Sequence, residues 1–214
     1  MCNSGPVVYN VNMKKVLIYI FAILFFINFP QHCFAVDSYP EIKKNIKVLY
    51  NANKLKEAYS LILHMDEEIR DAEIWLLAAN ITQDYGRDLD AVYLLQKSIS
   101  TDPKYYKAYY NLGNIYLKDN KFNSAIFNYK KAVKCNNAFA YGWYNLGNTY
   151  FSLDEFGKAK SAYLKAISIK DNEPDFYYNL ALTYKKLNKN KQAQKVLDKY
   201  NMLTDNTDLP KILQ

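Results

Sequence analysis

The chain has few of the residues that break regular structure or that hold metals and disulfides. Its 214 residues include only six glycines, six prolines, three cysteines and two histidines. So few Gly and Pro residues disfavour a turn-rich sandwich of short strands, which needs breakers between its strands. Half of the residues are hydrophobic and 23% are charged, a balance that argues against disorder and against collagen-like chains. The composition therefore predicts a globular chain with an ample core.

Long hydrophobic runs are also missing, apart from one near the N terminus. Lys14 and Lys15 precede an apolar stretch at residues 16–29, and a small residue, Ala35, follows it. The stretch is shorter than the roughly 20 apolar residues of a comfortable membrane-spanning helix. This pattern is typical of a secretory signal peptide. We expect translation to begin at Met13 and cleavage to follow Ala35; the alternative is an uncleaved membrane anchor formed by residues 16–29.

Removal of residues 1–35 changes the cysteine count and the charge of the chain. The remaining part has a formal net charge of +5 and one cysteine, Cys135. A single thiol cannot form an internal disulfide, so we expect Cys135 to be a small buried residue, the alternative being a reactive handle. The positive charge is interpreted as spread along the chain, which is weak support for a polyanionic partner.

The chain contains an internal repeat with a 34-residue period. The segment 108–116, AYYNLGNIY, is followed by GWYNLGNTY at 142–150 and by FYYNLALTY at 176–184. The second half of each copy keeps the same spacing, with Ala125, Ala159 and Ala193 at matching places. Such a period indicates a repeat architecture.

Each copy predicts a pair of helices. Tyr109, Leu112, Gly113 and Tyr116 recur at i, i+3, i+4 and i+7, the spacing of one helical face. The later part repeats this spacing with Phe122, Ala125, Tyr129 and Ala132. A short polar turn, residues 118–121, separates the two parts. One such hairpin cannot bury its apolar face alone, so the copies are expected to stack into a solenoid.

These residues resemble the pattern of the tetratricopeptide repeat family. The family's aromatic, Leu-Gly, Tyr, Ala, aromatic, Ala series occurs at Tyr109, Leu112, Gly113, Tyr116, Ala125, Tyr129 and Ala132. It recurs at Trp143, Leu146, Gly147, Tyr150, Ala159, Tyr163 and Ala166. The family proline that closes a unit is present only once, as Pro103. The resemblance implies an all-α fold, an α-α superhelix built as a right-handed solenoid of helix-turn-helix hairpins.

The resemblance extends over most of the chain. An upstream copy centres on Trp75 and Ala91, and we expect it to match the Leu-Gly position only with a one-residue insertion before Ala91. The predicted segments are a signal peptide at 1–35, a degenerate N-terminal helical hairpin at 36–71, a tetratricopeptide-like repeat at 72–105, repeats at 106–139, 140–173 and 174–205, and a C-terminal tail at 206–214.

The first helix of each repeat has a second face, away from its hairpin partner. At about 100° per residue, Asn111 and Asn114 lie opposite Leu112 and Gly113, with Tyr110 at the edge. The resemblance implies that first helices line the concave surface of the solenoid. The candidate binding residues on this face are Tyr110, Asn111, Asn114, Tyr144, Asn145, Asn148, Tyr178 and Asn179.

These residue types are suited to holding a peptide. A carboxamide offers one acceptor and two donors, so a row of Asn can pair with a peptide backbone whatever its side chains. Tyrosine adds flat apolar area and a hydroxyl, and it is frequent at binding hot spots. Some members of the family bind extended peptides through a concave Asn row. The alternative is that these residues serve only contacts between helices.

Features of other functional classes are missing from the sequence. After the leader, His64 is the only histidine, and no metal-spaced Cys pair, glycine-rich phosphate loop or Ser nucleophile elbow occurs. The tyrosines stand beside Asn rather than Arg, and lysines such as 130–131 and 185–186 are interpreted as a solvated outer face. We expect no catalysis, no cofactor, no metal and no nucleic-acid partner.

Together these features predict a non-catalytic scaffold or adaptor. It is expected to bind a protein or peptide segment in a concave groove in the bacterial cell envelope, as a periplasmic or extracellular protein. Contact with the membrane would be transient, through the signal peptide, or lasting if residues 16–29 stay as an anchor. The alternative function is a structural accessory subunit of a membrane or envelope complex that docks through an exposed C-terminal helix.

Overall fold

The computed structural model describes residues 39–204, and this part of the chain consists of ten α-helices with no strand. The helices pair into five hairpins: α1 (Tyr39–Asn51) with α2 (Leu55–His64), α3 (Ala72–Asp84) with α4 (Asp88–Thr101), α5 (Tyr106–Lys118) with α6 (Phe122–Cys135), α7 (Ala140–Ser152) with α8 (Phe156–Ile169), and α9 (Pro174–Lys186) with α10 (Asn190–Thr204). A 3₁₀ turn at Glu67–Ile69 precedes the second hairpin. The odd-numbered helices are the first helices of the hairpins and the even-numbered helices are the second. The predicted all-α solenoid is confirmed.

Two predictions lie outside the described residues. These are the signal peptide at 1–35, with its alternative anchor at 16–29, and the C-terminal tail at 206–214; both stay predictions. Within residues 39–204, no helix is both long enough and apolar enough to cross a membrane. From Ile42 onward, the described residues belong to one compact unit.

Every hairpin turns at one residue with a left-handed backbone conformation. In the third hairpin this is Asn120, with φ of 57°. Its N–H donates to the carbonyl of Leu117, and the N–H of Lys121 donates to the carbonyl of Tyr116 at 2.8 Å. This is the Schellman arrangement, which satisfies the last carbonyls of a helix and reverses the chain. The matching residues of the other hairpins are Asn53, Gly86, Asp154 and Asn188. Gly, Asn and Asp occupy these places because they adopt the left-handed region at least cost.

The two helices of the third and fourth hairpins meet where a glycine faces a tyrosine. A Cβ atom on Gly113 would lie 2.5 Å from Cε1 of Tyr129, and one on Gly147 would lie 2.6 Å from Cε1 of Tyr163. Both tyrosines are fully buried, with at most 1% of their surface exposed. The backbone of the first helix can therefore approach the ring only because no side chain stands between them.

The second and fifth hairpins meet the same requirement with a different pair. Ala79 and Leu95 share one buried apolar cluster, and Ala181 and Leu197 share another, at the positions of the glycine and the tyrosine. The smaller leucine leaves room for the alanine methyl group. Trp75, Ala79 and Ala91 thus keep the regular spacing of the repeat, and the insertion expected before Ala91 is wrong. Because Ala79 stands where the family pattern has glycine, the alignment of this repeat with the others is not evident from the sequence.

Stacking of the hairpins makes one core that continues along the solenoid. A single apolar cluster joins the third, fourth and fifth hairpins through Ala125, Tyr129, Leu146, Tyr150, Ala159, Tyr163 and Leu180. At the N-terminal end, the Lys43 ammonium lies 2.6 Å from carboxylates of Asp71 and Glu73. Asp71 also caps α3 by accepting the N–H of Ile74 at 3.0 Å. Asp71, which precedes α3, and Glu73, in its first turn, therefore stabilise the helix start and attach α1 to it.

Cys135 is exposed, so the expectation that it is buried is wrong. It is the last residue of α6, beyond the part of the helix that packs on its neighbours. Its Sγ lies 3.8 Å from the carbonyl oxygen of Pro103. A position at the end of the helix, rather than the apolar character of the thiol, decides its exposure.

Candidate peptide-binding surface

The predicted row of asparagines lies where successive first helices meet. The Nδ2 group of Asn145 on α7 donates to the hydroxyl of Tyr110 at 3.1 Å and to Oδ1 of Asn114 at 3.0 Å, both on α5. The buried hydroxyl of Tyr129 on α6 donates to the same Asn114 oxygen at 2.8 Å. Both donor hydrogens of the Asn145 amide are therefore used within the fold. We call this four-residue cluster the first brace.

The arrangement recurs one unit later. Asn179 donates to the hydroxyl of Tyr144 and to Oδ1 of Asn148, each at 2.9 Å, and Tyr163 donates to that Asn148 oxygen at 2.8 Å. The rings of Tyr144 and Tyr163 are 5.8 Å apart and tilted by 50°, as are those of the first brace at 5.9 Å. This second brace repeats the first in every contact. The braces hold consecutive hairpins in register through side chains that are half-buried or buried.

The row changes character at its two ends. On the N-terminal side, Asn111 donates to Oδ1 of Asn80 at 2.7 Å, and Asn80 donates to the hydroxyl of Tyr50 at 3.4 Å. Leu76 and Leu95 occupy the positions of the brace tyrosines there, so their hydroxyls are missing. Within residues 39–204, the Asn111 amide makes this one hydrogen bond, leaving its oxygen and one N–H available. On the C-terminal side, the ring of Tyr178 packs against Tyr200 at 5.6 Å.

The tyrosine hydroxyls of the braces stay protonated near neutral pH. Burial raises the pKa of Tyr110 and of Tyr144 above the usual value, and hydrogen bonds from Asn side chains oppose this only in part. Burial also raises the pKa of Tyr129 and Tyr163, far above the usual value, because their rings are deepest in the core. The hydroxyls therefore act as neutral donors and acceptors, and the braces do not respond to physiological changes of pH.

A cavity of about 480 Å³ opens at the N-terminal end of the same face. Aromatic side chains surround it, namely Tyr50, Tyr105, Tyr110 and Phe139. The amides of Asn51, Asn80 and Asn111 also line it, together with Lys47, Glu73 and Lys107. Its walls come from the first helices α1, α3 and α5, from Tyr105 directly before α5, and from Phe139, whose ring stands edge-on to that of Tyr110 at 4.9 Å. We call it the first-helix cavity. Burial raises the pKa of the Tyr105 phenol to about 12, so this hydroxyl also stays neutral.

The eight predicted residues thus occupy different environments. Tyr110 and Asn111 line the first-helix cavity, and Tyr110 also belongs to the first brace. The brace amides are Asn114, Asn145, Asn148 and Asn179. Tyr144 belongs to the second brace and stacks on Phe176 at 4.7 Å. A peptide-binding role for the eight residues stays a prediction.

Sequence reasoning missed the other residues of the cavity. Asn80 lies one repeat before Asn114, and Phe139 lies one repeat after Tyr105, so the repeat spacing could have found both. Asn80 was hidden by the misplaced insertion in its repeat. Phe139 precedes the start of α7, outside the helical face that carries the predicted row.

The structure describes little that could support metal or acid–base chemistry. No group of three or more His, Cys, Asp or Glu residues in the described part of the chain could hold a metal ion. His64 is exposed, and its Nδ1 lies 2.7 Å from the carbonyl oxygen of Ser60. His64 is the last residue of α2, and this contact with the helix backbone gives it a structural role.

Comparison with known proteins identifies the repeat. A family model described as TPR repeat matches residues 113–154 and 147–188, and two described as tetratricopeptide repeat match residues 94–127 and 174–206. The chain belongs to the tetratricopeptide repeat family. Proteins of this family are typically non-catalytic scaffolds, and this tetratricopeptide repeat chain is accordingly a protein–protein interaction scaffold.

Solved structures of MamA resemble this tetratricopeptide repeat protein in fold. One crystal structure of MamA is 27% identical with a TM-score of 0.66, and the match covers 75% of this chain and 94% of that one. A second is 25% identical with a TM-score of 0.65, covering 79% and 96%. The MamA RS-1 ArsTM double mutant is 19% identical with a TM-score of 0.68, covering 80% and 98%. No curated protein sequence matches the chain.

Proposed function

We propose that the protein binds an extended segment of a partner protein in the first-helix cavity, without catalysis. The observation that carries this proposal is the combination of four aromatic rings with amides that are not fully used by the fold. An extended segment presents one N–H and one C=O per residue. The free oxygen and N–H of Asn111 can pair with these groups, while the rings surround one side chain of the segment.

The two braces are less suited to this role. The Asn145 and Asn179 amides each donate two hydrogen bonds to the neighbouring hairpin. A peptide that accepted these hydrogens would break contacts that hold the repeats together, at a net cost of about 1 kcal/mol per bond. We therefore assign peptide contact to Tyr110 and Asn111 of the predicted row, and a supporting role to its brace amides.

A matched pair of substitutions tests this division. Asn111 and Asn179 occupy equivalent positions two repeats apart, and only Asn111 lines the cavity, while Asn179 makes no contact with Tyr110. Peptides of about 12 residues would be selected on the wild-type protein from a displayed random library, and their Kd measured by fluorescence polarisation. We expect Asn111→Ala to weaken binding about tenfold or more. We expect Asn179→Ala to leave Kd within about twofold, although it lowers the melting temperature more because it removes two hydrogen bonds of the second brace.

Other results would contradict the proposal in distinguishable ways. Equal weakening by both substitutions would mean that the peptide runs along the whole row. Unchanged binding in both would exclude the first-helix cavity. If deletion of the segment after Leu203 alone abolished capture of the partner from the envelope fraction, the protein would instead be an accessory subunit that docks through its C-terminal helix.

We also propose that the protein acts in the bacterial cell envelope, as a periplasmic or extracellular scaffold. The support is the pattern of residues 1–35, in which two lysines precede a short apolar stretch and a small residue follows it. N-terminal sequencing of the protein purified from its own cells is expected to begin at Val36. A chain that begins at Met13 and sediments with membranes would favour the uncleaved anchor.

A further inference from the structure

A larger cavity, of about 770 Å³, lies on the other side of the hairpins, between the second helices α6 and α8. We call it the outer groove. Its floor is apolar and consists of Val133, Leu146 and Tyr150, all buried. The half-buried ring of Trp143 forms part of the lining, and its Nε1–H donates to the carbonyl of Asn137 at 3.1 Å. The groove is large enough to receive one or more side chains of a partner.

Four lysines surround this apolar floor. Lys130 and Lys134 come from α6, and Lys158 and Lys165 come from α8. The ammonium groups of Lys130 and Lys158 lie 5.8 Å and 5.4 Å from the centre of the Tyr150 ring. Only Lys158 forms an ion pair within residues 39–204, with Glu155. The rim therefore carries an excess of positive charge that the described part of the chain does not neutralise.

The neighbouring repeats show that three of these lysines are not needed for packing, whereas Lys165 recurs as Lys131 and Lys199. One unit earlier, the positions of Lys130, Lys134 and Lys158 hold Gln96, Ser100 and Ser124. One unit later they hold Leu164, Ser168 and Gln192. The same helix arrangement thus forms with neutral side chains at all three places. Their presence at one hairpin junction alone points to a function other than folding.

The groove is also larger than its equivalent one unit earlier. The equivalent hollow one unit earlier has a volume of about 440 Å³. There, Phe127 and Asn128 occupy the places of Ser161 and Ala162. Small residues on α8 therefore open the space above the apolar floor. The lysines and the small residues line the same groove, so a positively charged rim surrounds a large apolar hollow.

The distribution of charge along the chain agrees with this local excess. Residues 39–105 contain nine basic and eleven acidic residues, whereas residues 106–204 contain sixteen lysines and seven acidic residues. The expectation of charge spread along the chain is therefore wrong. The outer groove lies in the positive half, so a negatively charged partner is attracted to the half that contains it.

We propose that the outer groove is a second binding site, which takes an acidic protein segment with an apolar side chain. The apolar side chain enters between the rings of Trp143 and Tyr150, and flanking carboxylates pair with the rim lysines. This site goes beyond the first-helix cavity and lies on a different face of the hairpins. The scaffold can therefore hold two partners at once.

A protein segment fits the groove better than other anions. A flat membrane surface cannot reach a floor that lies between two helices. Residues 106–204 contain no arginine, the residue best suited to phosphate recognition. Carboxylates beside an apolar side chain match both the lysine rim and the apolar floor.

The test uses synthetic peptides and the chain from Val36 to Gln214, the form expected after cleavage. The probe is a peptide of about ten Asp and Glu residues around a central Leu-Phe pair, with two matched peptides. In the first matched peptide, Asn and Gln replace the acidic residues. In the second, Ser-Ser replaces Leu-Phe. Kd is measured by fluorescence polarisation, and the two indole signals of the chain are followed by NMR. We expect tightest binding of the acidic Leu-Phe peptide, with a shift of the Trp143 indole signal and none of Trp75.

Two groove variants and one charge-matched control separate the site from general attraction. The substitutions Lys130→Gln, Lys134→Ser and Lys158→Ser together introduce the side chains of the preceding repeat at these three positions. Ser161→Phe introduces the residue of the equivalent, smaller hollow and so narrows the groove without changing its charge. Each is expected to weaken binding about tenfold or more. The control combines Lys131→Gln, Lys195→Gln and Lys199→Gln, exposed lysines outside the groove. It is expected to change Kd less than about threefold at moderate salt. Circular dichroism confirms that each variant is folded.

Several outcomes would overturn the proposal. Equal weakening by the groove and control triple variants would indicate non-specific attraction. A stationary Trp143 signal, or equal binding of the Ser-Ser peptide, would exclude the apolar floor. Tighter binding of phosphatidylglycerol vesicles or of single-stranded DNA would assign the lysines to lipid or nucleic acid, and self-association lost in the groove variants would assign them to a second copy. Asn111→Ala is expected to leave acidic-peptide binding unchanged, so this site and the first-helix cavity fail or succeed separately.

Discussion

Replacement of Tyr163 by alanine is expected to lower the free energy of unfolding by about 3–5 kcal/mol, the usual cost of removing a large buried aromatic side chain. The ring is 1% exposed and lies against the backbone of Gly147, while its hydroxyl holds Asn148 of the second brace. The substitution leaves a cavity between α7 and α8 and removes a support of the junction with α9. Because repeats stabilise their neighbours, the loss extends to the fifth hairpin.

Tyr163→Phe is the matched control for this prediction. It keeps the ring and removes only the hydroxyl, and Asn148 still accepts from Asn179. We expect a loss of about 1 kcal/mol. Equilibrium denaturation in urea, followed by circular dichroism, measures both variants. If alanine cost no more than phenylalanine, the ring would not be the central packing element of this hairpin.

Gly147→Ala and Gly157→Ala are expected to change stability in opposite directions, although both add one methyl group to the fourth hairpin. At Gly147 the new Cβ would lie 2.6 Å from the Tyr163 ring, which is buried and cannot move away. Such overpacking costs about 1–3 kcal/mol. At Gly157 no atom lies within 4 Å of the new Cβ. Alanine there favours the helix by about 0.5 kcal/mol.

A compensating substitution sharpens this prediction. The second and fifth hairpins pair Ala79 with Leu95 and Ala181 with Leu197 in place of a glycine and a tyrosine. Gly147→Ala combined with Tyr163→Leu recreates that pair. We expect the double variant to lose clearly less stability than the sum of the two single variants. Additive losses, or the same sign for Gly147→Ala and Gly157→Ala in thermal denaturation, would contradict the proposed close approach.

Much of the architecture could be predicted because it depends on contacts that recur with the sequence. Residues three, four and seven apart lie on one face of a helix, so the spacing of Tyr109, Leu112 and Tyr116 is enough to predict a helix. The register of the second hairpin could not be predicted in the same way. Ala79 replaces the expected glycine there, and only its contact with Leu95 explains why.

The candidate sites were less predictable, because each depends on residues from several hairpins. Asn111 and Asn145 are equivalent in sequence. The Asn145 amide donates to the Tyr110 hydroxyl, whereas the Asn111 amide donates to Asn80 and contacts no tyrosine hydroxyl. The lysines of the outer groove have the pattern of an ordinary solvated face. Their relation to Trp143 becomes visible only when α6 and α8 are placed on either side of α7.

The sequence by itself determined the repeat, the helices, their pairing and the family, since each follows from local spacing and from copies that must bury the same face. The tertiary structure alone decided which polar groups are used within the fold and which remain for a partner. The physical reason is that an amide or ammonium N–H forms a hydrogen bond only when the fold places an acceptor within about 3 Å in suitable geometry. That acceptor comes from another hairpin, distant in the chain.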